Sequence, residues 1–317
     1  MTVLTAINPT DATRRAEFDG VAAAASAADG YSPFNEQSLF DVTAGRRLPH
    51  LITAGPAGAD ADGDATVAHV VGAVIGAVVG AVVGAAITGL GEIDLVIAPL
   101  SRRHGHGTAA LQELLRTAPA ELTAWSHGDH PGARALAARF HFVAARTLLE
   151  MRLPLPAPPA VQNAASAGFT IGPFAPETDT ADWVALNALV FAEHPEQGAL
   201  TADDLGARQA EPWFDSGDFL IARDRDGRMV GYNWLKVEGD IGEIYVLGVH
   251  PDTAGAGLGR TLMNAGLARL DQRGATVAAL YVEADSLGPV HLYRSLGFTD
   301  HTVDVQYRRM DHPDRSL

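Results

Sequence analysis

Three features of this chain combine residue type and spacing in a way that can do chemistry. The first is a glycine-rich turn, Ala254-Gly255-Ala256-Gly257-Leu258-Gly259, followed from Arg260 to Leu267 by apolar residues at helical spacing. Glycine lets backbone N–H groups approach an anion closely. The unpaired first-turn amides and the helix dipole favour negative charge, so the turn suits a phosphate. The second is Glu243, a carboxylate upstream of that turn and able to take a proton directly or through water. The third is Tyr293, a phenol shortly before Leu296-Gly297-Phe298 and suited to an acid's role. Each has a plainer reading. Most glycine-rich turns are only turns, Glu243 can be a strand residue facing water, and Tyr293 can be a core aromatic. Lys236 taken alone reads as a solvated lysine. His194 and His250 read as loop histidines outside any spaced ligand set, so no metal site is expected.

The elements that must position these residues are legible too. Gly242-Glu243-Ile244-Tyr245-Val246-Leu247-Gly248-Val249, closed by Pro251, is β-branched, aromatic and aliphatic, and predicts a strand. An equivalent arrangement occurs earlier. Glu92 to Ala98 predicts a strand, Pro99 closes it, and Arg102-Arg103-His104-Gly105-His106-Gly107 leads into a helix from Thr108 to Arg116. Pro99 and Gly105 precede Pro251 and Gly257 by the same 152 residues, and Arg139-Phe140-His141-Phe142 falls opposite Ser295-Leu296-Gly297-Phe298. Such a repeat implies a duplicated α/β unit. Opposite Glu243 the first copy has Gly91, and opposite Tyr293 it has Ala137, so it lacks both the base and the acid candidate. It keeps Arg102 and Arg103 in its loop, where the second copy has Ala254 and Gly255.

At 317 residues the chain is long enough for two domains, with 47% hydrophobic residues to fill their cores. The expected division is residues 1–153, a linker over 154–168 and a second domain over 169–317. Leu153-Pro154-Leu155-Pro156-Ala157-Pro158-Pro159 and the Ala/Ser-rich stretch after it read as irregular and semi-rigid. Residues up to Gly20 read as polar and loosely held, Val21 to Ala28 as helix-prone, and Leu51 to Ala54 as a short strand before a Gly/Asp-rich turn. The net charge of −15 argues against nucleic acid or an anionic membrane as partner, so any phosphate site must be local. The absence of cysteine fits a reducing compartment, and the N-terminus lacks a signal-peptide pattern, so a cytoplasmic protein is expected. Val70 to Leu90 carries no charge and repeats glycine every fourth residue from Gly72 to Gly84, as a membrane span can. It lacks the Leu, Ile and Phe content, basic flanks and aromatic belt of a span, and reads as two buried strands joined by a turn.

The strand, the glycine loop with its helix, and Tyr293-Arg294-Ser295-Leu296-Gly297-Phe298 resemble the GNAT (Gcn5-related N-acetyltransferase) superfamily. Phe191-Ala192-Glu193-His194-Pro195-Glu196-Gln197-Gly198, Trp213-Phe214-Asp215, Trp234-Leu235-Lys236, Leu280-Tyr281-Val282-Glu283 and the opening Asp29-Gly30-Tyr31-Ser32-Pro33-Phe34-Asn35-Glu36-Gln37 are similar to the mycothiol synthases, a tandem GNAT family of actinobacteria. The resemblance covers nearly the whole chain. It implies an α/β (α+β) fold of two tandem GNAT-like domains, each a mixed, mostly antiparallel sheet flanked by helices.

The activity it implies is acetyl transfer from acetyl-CoA to the cysteinyl amine of cysteinyl-glucosaminyl-inositol, by a monomer whose second half is catalytic. Glu243 would be the base and Tyr293 the acid, and Glu36, Glu196, Lys236, Glu243 and Tyr281 would hold the acceptor. Acetyl-CoA would lie on Leu247, Gly248, Val249, the loop Ala254, Gly255, Ala256, Gly257, Leu258, Gly259 and Arg260, and on Ser286 and His291. A second, non-reacting acetyl-CoA would lie on Leu95, Val96, Ile97, Arg103, His104, Gly105, His106, Gly107 and Thr108. The loop departs from the family pattern at Ala254 (usually Gln or Arg), Gly255 and Ala256 (often basic). Ser286 replaces an Asn, and Gly288-Pro289 disturbs the helix start. Losing one charge-assisted contact costs about 1.5–3 kcal/mol, which predicts weak acetyl-CoA binding. Alternative readings are a tandem GNAT enzyme for another small amine and a non-catalytic acyl-CoA-binding protein.

Overall fold

A computed structural model of the chain describes residues 2–8, 10–55, 80–157, 168–192 and 197–310. It divides into two compact units, Met1–Thr147 with Thr302–Leu317, and Leu148–His301.

In the first unit the elements are β1 (Thr2–Ala6), α1 (Ala12–Asp29), α2 (Glu36–Thr43), β2 (Leu48–Ala54), β3 (Ala81–Gly89), β4 (Glu92–Ile97), α3 (His106–Thr117), β5 (Thr123–Ser126) and α4 (Pro131–Arg139). Its strands run in the order β1-β2-β3-β4-β5-β12, where β12 (Thr299–Arg309) is the last strand of the chain. All pairings are antiparallel except β4 with β5. Phe18, Val21 and Ala25 of α1 pack with Phe34, Leu51, Ala85 and Ile87, while Leu111 and Leu114 of α3 pack with Ala86, Ile93 and Phe142.

The N-terminal residues, expected to be loosely held, form β1 and the first half of α1. Asp11 caps the helix by accepting from the N–H groups of Thr13 and Arg14, and Phe18 is buried. Tertiary burial and a cap outweigh the polar composition of this stretch. The strand β3 accounts for residues 81–89 of the uncharged run; residues 56–79, with the rest of that run and the Gly/Asp-rich turn, lie outside the described residues. No described helix is long and apolar enough to cross a membrane.

In the second unit the elements are β6 (Phe142–Pro154), β7 (Thr170–Pro173), α5 (Pro176–Val190), α6 (Ala202–Gln209), β8 (Phe219–Arg223), β9 (Met229–Glu238), β10 (Ile241–Val249), α7 (Leu258–Gln272), β11 (Val277–Glu283) and α8 (Leu287–Ser295), with β6 entering this unit at Leu148. The strand order is β7-β8-β9-β10-β11-β6, antiparallel except β10 with β11. Aromatic packing holds β8 and β9: Phe219 stacks on Trp234 at 4.5 Å, and Trp183 of α5 meets both rings edge-on. Leu258 and Leu262 of α7 pack against Ala222 and Val230 on the other side.

Two strands therefore change sides relative to a division at the prolines. Residues Leu148–Pro154 pair with β11 of the second unit, and Val305–Arg308 of β12 pair with β5 of the first. Pro154 is the final residue of β6, a position where its missing N–H costs nothing, so regular structure reaches into the stretch that reads as irregular.

Candidate active site

The parallel pairing of β10 with β11 covers only Ile241↔Val277, Gly242↔Ala278 and Glu243↔Ala279, although both strands continue. The two strands part just beyond Glu243. In the same stretch the pairing of β10 with β9 shifts between Ile244 and Val246, a bulge at Tyr245. Gly248 comes next, and a Cβ there would lie 2.5 Å from the Tyr232 ring, so only glycine lets the strand pass.

Glu243 faces Lys236 of β9 on one side and Ala279 of β11 on the other, and Ala279 faces Arg152 of β6. Two residue pairs further, and so on the same face, Tyr281 faces Glu150. These residues, with Glu238 and Ile241, line a cleft of about 190 Å³. Lys236 is buried, with Nζ 2.8 Å from a Glu238 carboxylate oxygen and 5.3 Å from the Trp213 ring centroid. That position differs sharply from a solvated lysine. Glu150 is also buried and accepts from Arg152 Nε at 2.6 Å. The cleft's side chains comprise two cations and three carboxylates, an excess of one negative charge that suits a cationic ligand.

Sequence reasoning missed Glu150, Arg152 and Glu238. A usable signal was present: Glu150 and Arg152 are two apart in an otherwise apolar stretch, which puts both on one face of a strand. They sit before the prolines, however, in the half expected to be inert.

After β10 a short 3₁₀ turn, Pro251–Thr253, leads to the loop. The Ala254 and Ala256 N–H groups donate to Pro251 and Thr253 carbonyls. Gly255 and Gly257 have φ of 80° and 81°, the left-handed region that glycine adopts freely. Gly257 caps α7 without any side-chain acceptor, so the amides of Leu258, Gly259 and Arg260 begin a helix with no capping oxygen. The strands' parting and this uncapped N-terminus fit an elongated ligand ending in phosphates. Arg260, the nearest cation to the loop in sequence, donates to Ser295 Oγ at 2.5 Å. Ser286 is the N-cap residue of α8 without a side-chain bond, and His291 is exposed on that helix.

The first unit repeats the geometry. Its β4 and β5 pair only at Glu92↔Thr123 and Ile93↔Ala124, Pro99–Ser101 forms the same turn, and Gly105 has φ 84° before α3. Leu95, Val96 and Ile97 lie on β4, and Arg103 to Thr108 form the loop and helix start. Arg102, expected as a loop cation for phosphate, is otherwise engaged. Its two terminal nitrogens each donate to Asp29 at 2.7 Å, and its Nε donates to the Ile97 carbonyl at 3.0 Å. The hydrogen bonds from Arg102 to Asp29, opposed by burial, hold the Asp29 carboxyl below the usual carboxylate range. Arg103 has φ 65° and is exposed. His106 Nδ1 is 3.1 Å from Thr2 Oγ1.

Tyr293 lies on α8, buried, with its ring 6.1 Å from that of Phe298, and is not among the residues lining the cleft. Burial pushes its phenol up to about 12. Glu36 starts α2 in the first unit and is exposed; Glu196, with His194, lies outside the described residues. The described residues contain no group of three or more His, Asp or Glu that could hold a metal.

The profile of the acetyltransferase (GNAT) family matches residues 41–142 and 183–298, one stretch in each repeat. A protein of Clavibacter sepedonicus named mycothiol acetyltransferase is 43% identical over 288 residues, covering 90% of this chain and 88% of that one. Its namesake in Thermobispora bispora is 41% identical over 323 residues, covering 98% and 100%. Among solved structures, a tandem GNAT protein from the clavulanic acid biosynthesis pathway superposes over 99% of this chain and 100% of its own, with a TM-score of 0.68 at 18% identity. Two copies of the strand–loop–helix unit, a family profile on each and relatives similar along almost the whole length agree: the chain belongs to the GNAT family of acetyltransferases, among the mycothiol acetyltransferases.

Proposed function

We propose that the second unit transfers acetyl from acetyl-CoA to the cysteinyl amine of cysteinyl-glucosaminyl-inositol, with Glu243 as general base. The observation that carries this reading is the placement of Glu243 in the charged cleft, at the last residue pair before β10 and β11 part. A thioester lying between the parted strands would bring its carbonyl next to that carboxylate. An α-ammonium has a pKa of about 7.7–8, so near pH 7 most of it must lose a proton before it can attack. Glu243 takes that proton, directly or through water. The cleft's excess negative charge holds the ammonium beforehand, with Lys236 and Tyr281 contacting the rest of the acceptor. Backbone N–H groups of Leu247 and Val249, on the edge of β10 that β11 leaves, stabilise the oxyanion.

Tyr293 takes a narrower role than that of a full acid. A phenol with a pKa of about 12 gives its proton to a thiolate of pKa about 8.5 uphill by nearly 5 kcal/mol. It therefore acts by donating a hydrogen bond to the departing sulfur. The loop Ala254 to Gly259 holds the pyrophosphate through amides and the α7 dipole, and because the loop itself carries no cation that binding is weak. In the first unit the loop geometry suits a second, non-reacting acetyl-CoA, and pairing of Arg102 with Asp29 leaves it to the loop amides and Arg103. On this reading the protein is a cytoplasmic monomer.

The decisive experiment measures CoA thiol release with acetyl-CoA and a panel of amines. Release with the cysteinyl pseudo-disaccharide well above that with polyamines or aminoglycosides is expected. Binding of CoA without release on any amine overturns the enzymatic assignment of the residues, and preference for another amine overturns the acceptor.

A further inference from the structure

We infer that Arg152, held by Glu150, is a specificity-determining residue that reads the polyol end of the acceptor farthest from the reacting amine. The inference rests on the acetyl-transfer reading above and adds a residue pair to it. Neither residue belongs to the glycine loop, the bulged strand or the Tyr293 helix.

The argument starts from register. Lys236, Glu243, Ala279 and Arg152 lie abreast on β9, β10, β11 and β6. Neighbouring strands are about 4.8 Å apart, so the Arg152 backbone stands about 10 Å from that of Glu243, with Lys236 about 5 Å away on the other side. Between Glu243 and Arg152 the row contains only Ala279, whose methyl group leaves the floor of the cleft low. An acceptor with its amine at Glu243 can thus lie across Ala279 with its other end against Arg152.

The chemistry at that end suits hydroxyl groups. Glu150 is buried and binds Arg152 through Nε at 2.6 Å, while the arginine side chain remains about one-third exposed. A guanidinium has five donors in a planar fork, and the bond to Glu150 uses one of them, so donors remain for vicinal hydroxyl oxygens. Glu150 fixes the orientation of that fork, which makes it a positioning residue. Part of its cost of burial is offset by the ion pair with Arg152. A polyol also presents O–H donors, and Glu238 offers acceptor oxygens on the same wall.

The test combines substitution with truncation of the acceptor. Steady-state kinetics are measured for wild type, Arg152→Gln, Arg152→Lys and Glu150→Gln, each with the full cysteinyl-glucosaminyl-inositol and with cysteinyl-glucosamine lacking the inositol. Arg152→Gln is expected to raise KM for the full acceptor about ten- to a hundred-fold, the range for one lost charge-assisted hydrogen bond. Its kcat should stay within about three-fold, and its KM for the truncated acceptor should match wild type. Arg152→Lys should recover part of the loss, and Glu150→Gln should give a smaller rise confined to the full acceptor. Equal effects on both acceptors, or none on either, overturn the inference while leaving the acetyl-transfer reading intact. Wild-type protein that acetylates neither acceptor overturns that reading and this inference with it. Unchanged acetyl-CoA affinity of each variant verifies the fold.

Discussion

Lys236 and Glu243 stand directly opposite each other on β9 and β10, yet the lysine ammonium is already engaged by Glu238 and by the face of Trp213. The cation beside the proposed base is therefore held in place by partners of its own. Glu243→Gln keeps the shape of the side chain and removes its basicity. It is expected to lower kcat by about 10²–10⁴ while leaving the acetyl-CoA dissociation constant within two-fold. Stopped-flow thiol release and isothermal titration with CoA check both halves, and an unchanged kcat would sink the assignment.

Tyr293 sets a second expectation, on pH. With its phenol near 12 it stays protonated throughout the working range, so kcat/KM should show no limb from Tyr293 below about pH 11, and a fall above about pH 8 belongs to the acceptor ammonium, whose proton Glu243 takes. Tyr293→Phe removes the donor to the departing sulfur and should lower kcat/KM across the range without moving any limb of the profile. A descending limb near pH 9 in wild type that disappears in Tyr293→Phe would show a phenol titrating far below this value.

The loop gives a position-specific prediction. Ala256 is exposed, whereas Gly255 has φ 80°, where a side chain is strained. Ala256→Arg should tighten acetyl-CoA binding by up to about ten-fold by supplying the missing cation near the pyrophosphate. Gly255→Arg should gain less and should lower the melting temperature. Equal gains at both positions, read by titration and thermal denaturation, would contradict the backbone geometry.

Asp29 carries a fourth expectation, in the first unit. Asp29→Asn frees Arg102 from its bidentate partner and should tighten CoA binding to the first unit, detected by titration. It should also destabilise that unit, with a defined pH dependence. The native Asp29 carboxyl titrates below its unfolded value of about 3.9, so the pair's contribution is fully present above pH 4 and is lost as pH falls through the lowered native value. The stability difference between wild type and Asp29→Asn should accordingly be flat above about pH 4 and shrink below it.

Much of the architecture was legible because it rests on local signals. The apolar run of Gly242–Val249, the paired glycines and the spacing of Pro99 and Pro251 predict β4, β10 and the helices after them, and the structure has each within a few residues. What remained hidden depends on contacts distant in sequence. No composition could show that Asp29 reaches Arg102 across 73 residues, or that Lys236 is covered by Trp213. The N-terminal segment reads as loosely held because its polar residues outnumber the few, such as Phe18, that α1 buries. Glu150 and Arg152 escaped attention because proline marks a break in the chain's regularity, and a break was equated with a border. Strand pairing ignores that border.

The consequence of the exchanged strands is one of supply. A fragment carrying the second repeat alone, residues 169–317, would lack β6 and present the bare edge of β11, with a cleft missing Glu150 and Arg152, while its own last strand would have no β5 to join. It would have to borrow the missing strand from another molecule, at that molecule's concentration. Within one chain the strand is available at an effective concentration on the order of millimolar, whatever the abundance of the protein. Covalent linkage of the two repeats therefore makes completeness of the cleft independent of how many copies a cell contains.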